Sequence, residues 1–185
     1  KKGDLIFVSG NLGAAYMGLL VLEREKQAFK ADPNMQPDLS GHDYILSRQL
    51  KPEARIDILE ILKKAGVKPT AMIDLSDGLA SDLLHICEKS KLGCSIYEEK
   101  LPIDFTTAAM AQEFKIEPAI AALNGGEDYE LLFTVSQKDY DKLKDIKEIN
   151  VIGHMTEEAE GRNMISQSGS QITLRAQGWD AFLKK

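Results

Sequence analysis

Long apolar runs are missing from this 185-residue chain. Charge interrupts every stretch well before the ~20 apolar residues that a membrane-crossing helix requires. A basic surplus is missing as well: 23 Lys and Arg stand against 29 Asp and Glu, a formal net charge of −6. That argues against a broad nucleic-acid-binding face, because phosphate backbones are met with excess Lys and Arg. Cysteine is scarce. Cys87 and Cys94 form no CxxC pair and have no nearby His to suggest a zinc site, so they read as small core residues in a reducing cytoplasm. No GxxxxGK[ST] occurs, which excludes a Walker-type nucleotide loop. Repeats, low-complexity segments and any arguable Ser-His-Asp arrangement are absent, and His42, His85 and His154 are scattered without an evident role. Nor is there an initiator Met or a signal-peptide-like opening. Lys1-Lys2-Gly3-Asp4 leads straight into Leu5-Ile6-Phe7-Val8, a strand entered from a turn and the expected look of a chain interior.

What is present is the balance of an ordinary globular protein, 43% apolar and 28% charged, enough for one domain with a sizeable core. Strand-like and helix-like segments alternate. Strands are expected over residues 4–9, 70–75, 94–97, 129–135, 149–153 and 172–174. Helices are expected over 14–27, 53–65, 79–90 and 105–114, with a short charged helix at 139–145 and a final turn at 178–183. Residues 30–42, with Pro33, Pro37 and Gly41, read as a loop, and the polar stretch 157–170 as a mobile one. The pattern predicts an α/β fold, a mixed sheet of about six strands packed with four to five helices.

Two segments concentrate chemistry. Ile73-Asp74-Leu75-Ser76-Asp77-Gly78-Leu79 ends a strand, gathers two carboxylates and a hydroxyl, and starts a helix. One reading makes Ser76 or Asp77 the cap of that helix. A cap needs only one such side chain, however, and two crowded carboxylates call for a proton or cation. A hard divalent ion such as Mg²⁺ suits oxygen donors, and a helix start beside it favours phosphate. The second segment is Asn124-Gly125-Gly126-Glu127-Asp128-Tyr129-Glu130-Leu131. It reads either as a solvated turn or as a ligand loop whose glycines admit close backbone approach. Alternation would put Asp128 and Glu130 on one face and Glu127 and Tyr129 on the other, with one face buried. Weaker features are Gly10-Asn11-Leu12-Gly13, a turn with room for phosphate, and Arg48, Lys51 and Arg55, read as a solvated face. Trp179, the single Trp, reads as a core anchor or a flat face for a ligand.

Taken in order, Gly3-Asp4 to Gly13, Ala71 to Leu79, Gly125-Gly126-Glu127-Asp128-Tyr129-Glu130-Leu131 and Gly178-Trp179 resemble the thiamine-monophosphate kinase family of the aminoimidazole-ribonucleotide-synthetase superfamily, over nearly the whole chain. The resemblance implies transfer of the ATP γ-phosphoryl group to thiamine monophosphate. It implies Mg²⁺ held partly by Asp74 and Asp77, Ser76 near the nucleotide, and Glu127 and Trp179 facing the thiamine substrate. It implies a cytoplasmic enzyme with an N-terminal domain that supplies further metal ligands, much of the nucleotide site and a dimer surface. This chain would then be the C-terminal domain, 1–185, holding half a site and inactive alone. Another ATP-dependent enzyme of the superfamily, or a noncatalytic cation-binding module, is the alternative.

Overall fold

The computed structural model describes residues 1–176. Seven strands form one mixed sheet: β1 (Leu5–Ser9), β2 (Ala71–Asp74), β3 (Leu92–Tyr97), β4 (Leu131–Val135), β5 (Ile149–Glu157), β6 (Arg162–Ile165) and β7 (Gln171–Thr173). The order is β2-β4-β1-β5-β3-β6-β7. All neighbours are antiparallel except β3 and β6. Six α-helices accompany them: α1 (Ala14–Ala31), α2 (Asp43–Leu50), α3 (Ile56–Lys64), α4 (Leu79–Ser90), α5 (Phe105–Glu113) and α6 (Pro118–Asn124).

Strand alternation divides the core. Ile6 and Val8 of β1 and Leu132 of β4 join Leu79, Leu83 and Ile86 of α4 on one face. Phe7 and Phe133 stack on the other, their rings 5.6 Å apart, with Ile58 and Leu62 of α3. Every one of these is fully or nearly buried, which is where most of the folding free energy originates. A third apolar cluster joins α1, α2, α5 and α6 through Met17, Val21, Ile45, Met110 and Ala121.

The fold class agrees with the sequence reading, with one more strand than expected. The difference lies in 157–170. Instead of one mobile loop, β5 runs on to Glu157 and β6 occupies Arg162–Ile165, lying parallel to β3. Residues 137–142 form a 3-10 helix rather than an α-helix over 139–145. The expected turn at 178–183 lies outside the described residues.

Candidate functional site

Among the described residues β2 is an edge strand paired with β4 alone, with Asp74 opposite Leu131. The pairing does not stop where the strands end. Leu75 N–H donates to Glu130 O (2.8 Å), Tyr129 N–H to Leu75 O (2.9 Å) and Glu127 N–H to Ser76 O (2.9 Å). The two chemistry-bearing segments, far apart in sequence, are thereby stitched into one corner. Gly126 makes the approach possible, since a Cβ there would lie 2.6 Å from Ser76 O, closer than van der Waals contact permits.

Capping of α4 by Ser76 or Asp77 is not what the structure contains. The N-cap position is Gly78, and no side chain caps the helix there. Instead the carboxylate of Asp82, one turn into the helix, accepts the backbone N–H groups of Ser76 (3.1 Å) and Asp77 (3.2 Å). Asp82 is 2% exposed. Burial is the main cause that pushes its carboxyl up to about 6, against the lowering effect of those N–H donors. The side chains of Asp74 and Asp77 remain exposed and Ser76 is half-buried. Ligand atoms of Asp77, Asp82 and His85 converge within 4.8 Å of one another; Asp74 stands outside that group. Exposed carboxylate oxygens fit a hard cation that keeps several waters, whereas the imidazole of His85 suits a softer metal.

Glu127 is exposed and accepts the Tyr129 hydroxyl at 2.9 Å. That hydrogen bond, and the Glu127 charge behind it, hold the Tyr129 phenol above its usual range, with Asp74 and Asp77 adding to the effect. Glu127, Asp74 and Asp77 therefore share one acidic edge around Tyr129. The backbone here is constrained: Glu127 has φ 68° and Tyr129 φ 50°, left-handed values that non-glycine residues adopt sparingly.

Beneath the edge lies the buried face expected from alternation, with Asp128 3% and Glu130 2% exposed. Asp128 accepts the N–H groups of Gly13 (2.6 Å) and Ala15 (3.2 Å) at the start of α1. The Gly10–Gly13 turn is thus no open phosphate cradle, because its helix N-terminus is filled by the protein's own carboxylate. Arg48 and Arg55 are not a solvated face either. Arg48 Nη2 meets Glu130 at 2.9 Å, and Arg55 Nη1 meets the other oxygen of Glu130. Trp179 lies outside the described residues.

Asp82 is an anchor that no sequence motif singled out, while Arg48 and Arg55 are anchors in place of the expected solvated face. A signal for Asp82 existed: it sits on the apolar stripe of Leu79, Leu83 and Ile86, where a charged residue must have internal partners.

Burial raises Asp128 to about 6, although Gly13, Ala15 and Arg48 all favour its charged form. Its stability contribution is therefore present below the unfolded value of 3.8 and is lost as pH rises through about 6. Asp128→Asn keeps one of the two accepting oxygens and cannot ionise, so it should gain on the parent by on the order of 2–3 kcal/mol as pH rises from 4 to 7. Denaturant unfolding of both proteins across that range measures it, and a pH-independent difference would show that Asp128 titrates normally.

The family described as AIR synthase related protein, C-terminal domain matches residues 1–165. Thiamine-monophosphate kinase of Buchnera aphidicola subsp. Schizaphis graminum is 36% identical over 189 residues, covering 99% of this chain and 54% of that protein. The thiamine-monophosphate kinase of Escherichia coli K12 is 35% identical over 98% of the chain and 53% of its own length. Among solved structures, one described as AaThiL complexed with AMPPCP and TMP superposes with a TM-score of 0.77 at 29% identity, covering 98% of this chain and 52% of the other. Escherichia coli HypE, a hydrogenase maturation protein, superposes at 0.67 with 18% identity over 97% of this chain and 51% of its own, a likeness of fold alone. The chain spans about half the length of the relatives it matches.

Proposed function

The chain belongs to the AIR synthase related protein family, matching its C-terminal domain, and on that premise we propose that it forms the C-terminal half of a thiamine-monophosphate kinase. The observation that carries this reading is the stitched corner: the 74–77 and 125–130 segments held side by side, with Asp74, Asp77 and Glu127 on one exposed edge. The chemistry is transfer of the γ-phosphoryl group of ATP to the phosphate of thiamine monophosphate, giving thiamine diphosphate and ADP.

In this reading Asp74 and Asp77 would hold Mg²⁺, and the ion would supply neutralisation of phosphate charge. Asp82 keeps the loop that carries them in place through the N–H groups of Ser76 and Asp77. Ser76 faces the nucleotide phosphates. Glu127, pinned by Tyr129, sets a negative charge against the cationic thiamine rings, and Trp179 offers them an aromatic face. Phosphoryl transfer depends chiefly on positioning and charge neutralisation, and the corner provides the first through backbone hydrogen bonds. The AaThiL structure with AMPPCP and TMP, similar over nearly all of this chain, supports both ligands.

The remaining parts of the proposal are an N-terminal domain that completes metal and nucleotide binding, a homodimer, and a cytoplasmic location. No described helix is long and apolar enough to cross a membrane. Equilibrium binding to the full-length protein tests the substrate assignment. With a nonhydrolysable ATP analogue and Mg²⁺ present, thiamine monophosphate should bind and unphosphorylated thiamine should bind at least about tenfold more weakly, since the acceptor phosphate is the group being positioned. Preference for a different phosphate or carboxylate acceptor would move the protein to another ATP-dependent enzyme of the superfamily.

A further inference from the structure

Glu130 is the point where four segments of the chain meet. Its carboxylate, 2% exposed, receives Arg48 of α2, Arg55 at the start of α3 and the hydroxyl of Ser9 at the end of β1. Arg48 Nη2 also donates to Asp128 O (2.9 Å) and lies 3.4 Å from Asn11 O. Arg55 is fully engaged: Nε and Nη2 hold Asp57 at 3.0 and 2.9 Å while Nη1 holds Glu130. Gly10 completes the packing. It has φ +53°, and a Cβ there would lie 2.2 Å from Glu130 Oε1 and 2.8 Å from Arg55 Nη1.

These arginines border a cleft of about 500 Å³ together with Lys51, Glu53 and Asp57. An anion-binding role is disfavoured by its charge balance. The cations Arg48, Lys51 and Arg55 stand beside the acids Glu53 and Asp57 and the buried Glu130 that both arginines contact, and no nitrogen of Arg55 is left without a partner.

Maximal stability does not explain the arrangement well. Buried ion pairs contribute little net stabilisation over apolar packing, and Arg48 Nε is itself buried without a hydrogen-bond partner. What the arrangement does is hold a turn. The residues immediately before Glu130 include two in left-handed backbone, Glu127 and Tyr129, and such conformations persist where the surroundings over-determine them. Ser76 O and Leu75 O hold the turn from one side. Arg48 and Arg55 hold it from the other, through Asp128 O and the Glu130 carboxylate.

We propose that Arg48 and Arg55 are positioning residues that clamp Glu130 and thereby fix the 127–129 turn that presents Glu127 to the substrate. The assignment of a substrate to Glu127 is taken from the proposed function; the clamp itself stands on the contacts above. Lys at either position keeps the charge but loses the planar fork that reaches two or three acceptors at once. Loosening the turn acts on the group that Glu127 binds and leaves the nucleotide to the 74–77 loop, so the two ligands should respond differently.

The test uses Arg48→Lys and Arg55→Lys in the full-length protein, read by steady-state kinetics and by amide hydrogen exchange. KM for thiamine monophosphate should rise about tenfold with kcat and the KM for ATP nearly unchanged, the signature of lost substrate binding. Exchange at the Glu127 and Tyr129 amides should accelerate about tenfold or more while the Leu83 and Ile86 amides of α4 keep their protection. Unchanged exchange at 127 and 129 overturns the clamp. So does a rise in both KM values together with a fall in kcat and melting temperature, or failure of both variants to fold, since each marks a purely structural role. If the parent protein turns over no thiamine monophosphate, the functional reading fails, and the exchange measurement still decides the clamp independently.

Discussion

Asp77→Asn in the full-length protein should lower phosphoryl transfer by about 10²–10³-fold, the loss typical when one transition-state charge contact is removed. The same change should leave the metal-free protein at least as stable as the parent. Asp77 is exposed, caps nothing, and has no ion-pair partner among the described residues. Asp74, Asp82 and Glu127 around it are acidic and His85 is the basic group beside it, so removing one of the several negative charges relieves repulsion when no cation is bound. Its backbone N–H, which meets Asp82 at 3.2 Å, survives the substitution. Thermal melts with and without Mg²⁺ separate the effects: the parent should be stabilised by the ion and the variant much less so. A variant that melts far lower in the absence of metal would make Asp77 a structural residue.

Glu130→Ala should have the largest effect on stability, a loss of about 3–5 kcal/mol. The substitution leaves Arg48 and Arg55, with side chains only 18% and 15% exposed, facing each other across a vacated pocket. It also removes the acceptor for Ser9, whose hydroxyl in turn accepts Leu131 N–H. Asp57 can retain Arg55, and Asp128 O can retain Arg48, which argues for the lower part of that range. Chemical denaturation of parent and variant at neutral pH gives the number. A loss below about 1 kcal/mol, the level of an exposed pair, would mean that solvent already screens the cluster.

Part of this network was legible in the sequence. Alternation across 127–130 correctly separates Asp128 and Glu130 from Glu127 and requires one face to be buried, without saying which; the structure buries Asp128 and Glu130, in a turn with two left-handed residues rather than a strand. The apolar spacing of Leu79, Leu83 and Ile86 correctly gives α4. The partners were not legible, because they come from elements whose local signals are weak. Arg48 lies on α2, an eight-residue helix with just Ile45 and Leu46 buried, following a loop rich in Pro, Asn and Gly. Its helical state owes more to packing against α1 than to propensity. β6 is hidden for a related reason. Arg162-Asn163-Met164-Ile165 sits among Gly and Ser residues, and what makes it a strand is parallel pairing with the distant β3, which no local pattern announces. α6 carried a cue in Pro118 at its first turn, but its seven residues are too few for periodicity to register.

Gly93 shows how local punctuation can point to the wrong place. After a helical pattern it suggests a C-terminal stop. In the structure Lys91 takes the left-handed position, with φ 54°, and Gly93 lies inside β3. Because the helix-to-strand connection is so short, the two cysteines of the chain, Cys87 on α4 and Cys94 on β3, meet in the core as free thiols.

In the proposed function this chain supplies one half of a phosphoryl-transfer site. The most direct measurement compares it with the full-length protein under identical conditions, with ATP, Mg²⁺ and thiamine monophosphate, following thiamine diphosphate formation. The full-length protein should turn over at the level of an ordinary enzyme, on the order of 1 s⁻¹ or more, and the 185-residue chain should form no product above the uncatalysed background. Comparable turnover by the chain alone, or none by the full-length protein, would contradict the account.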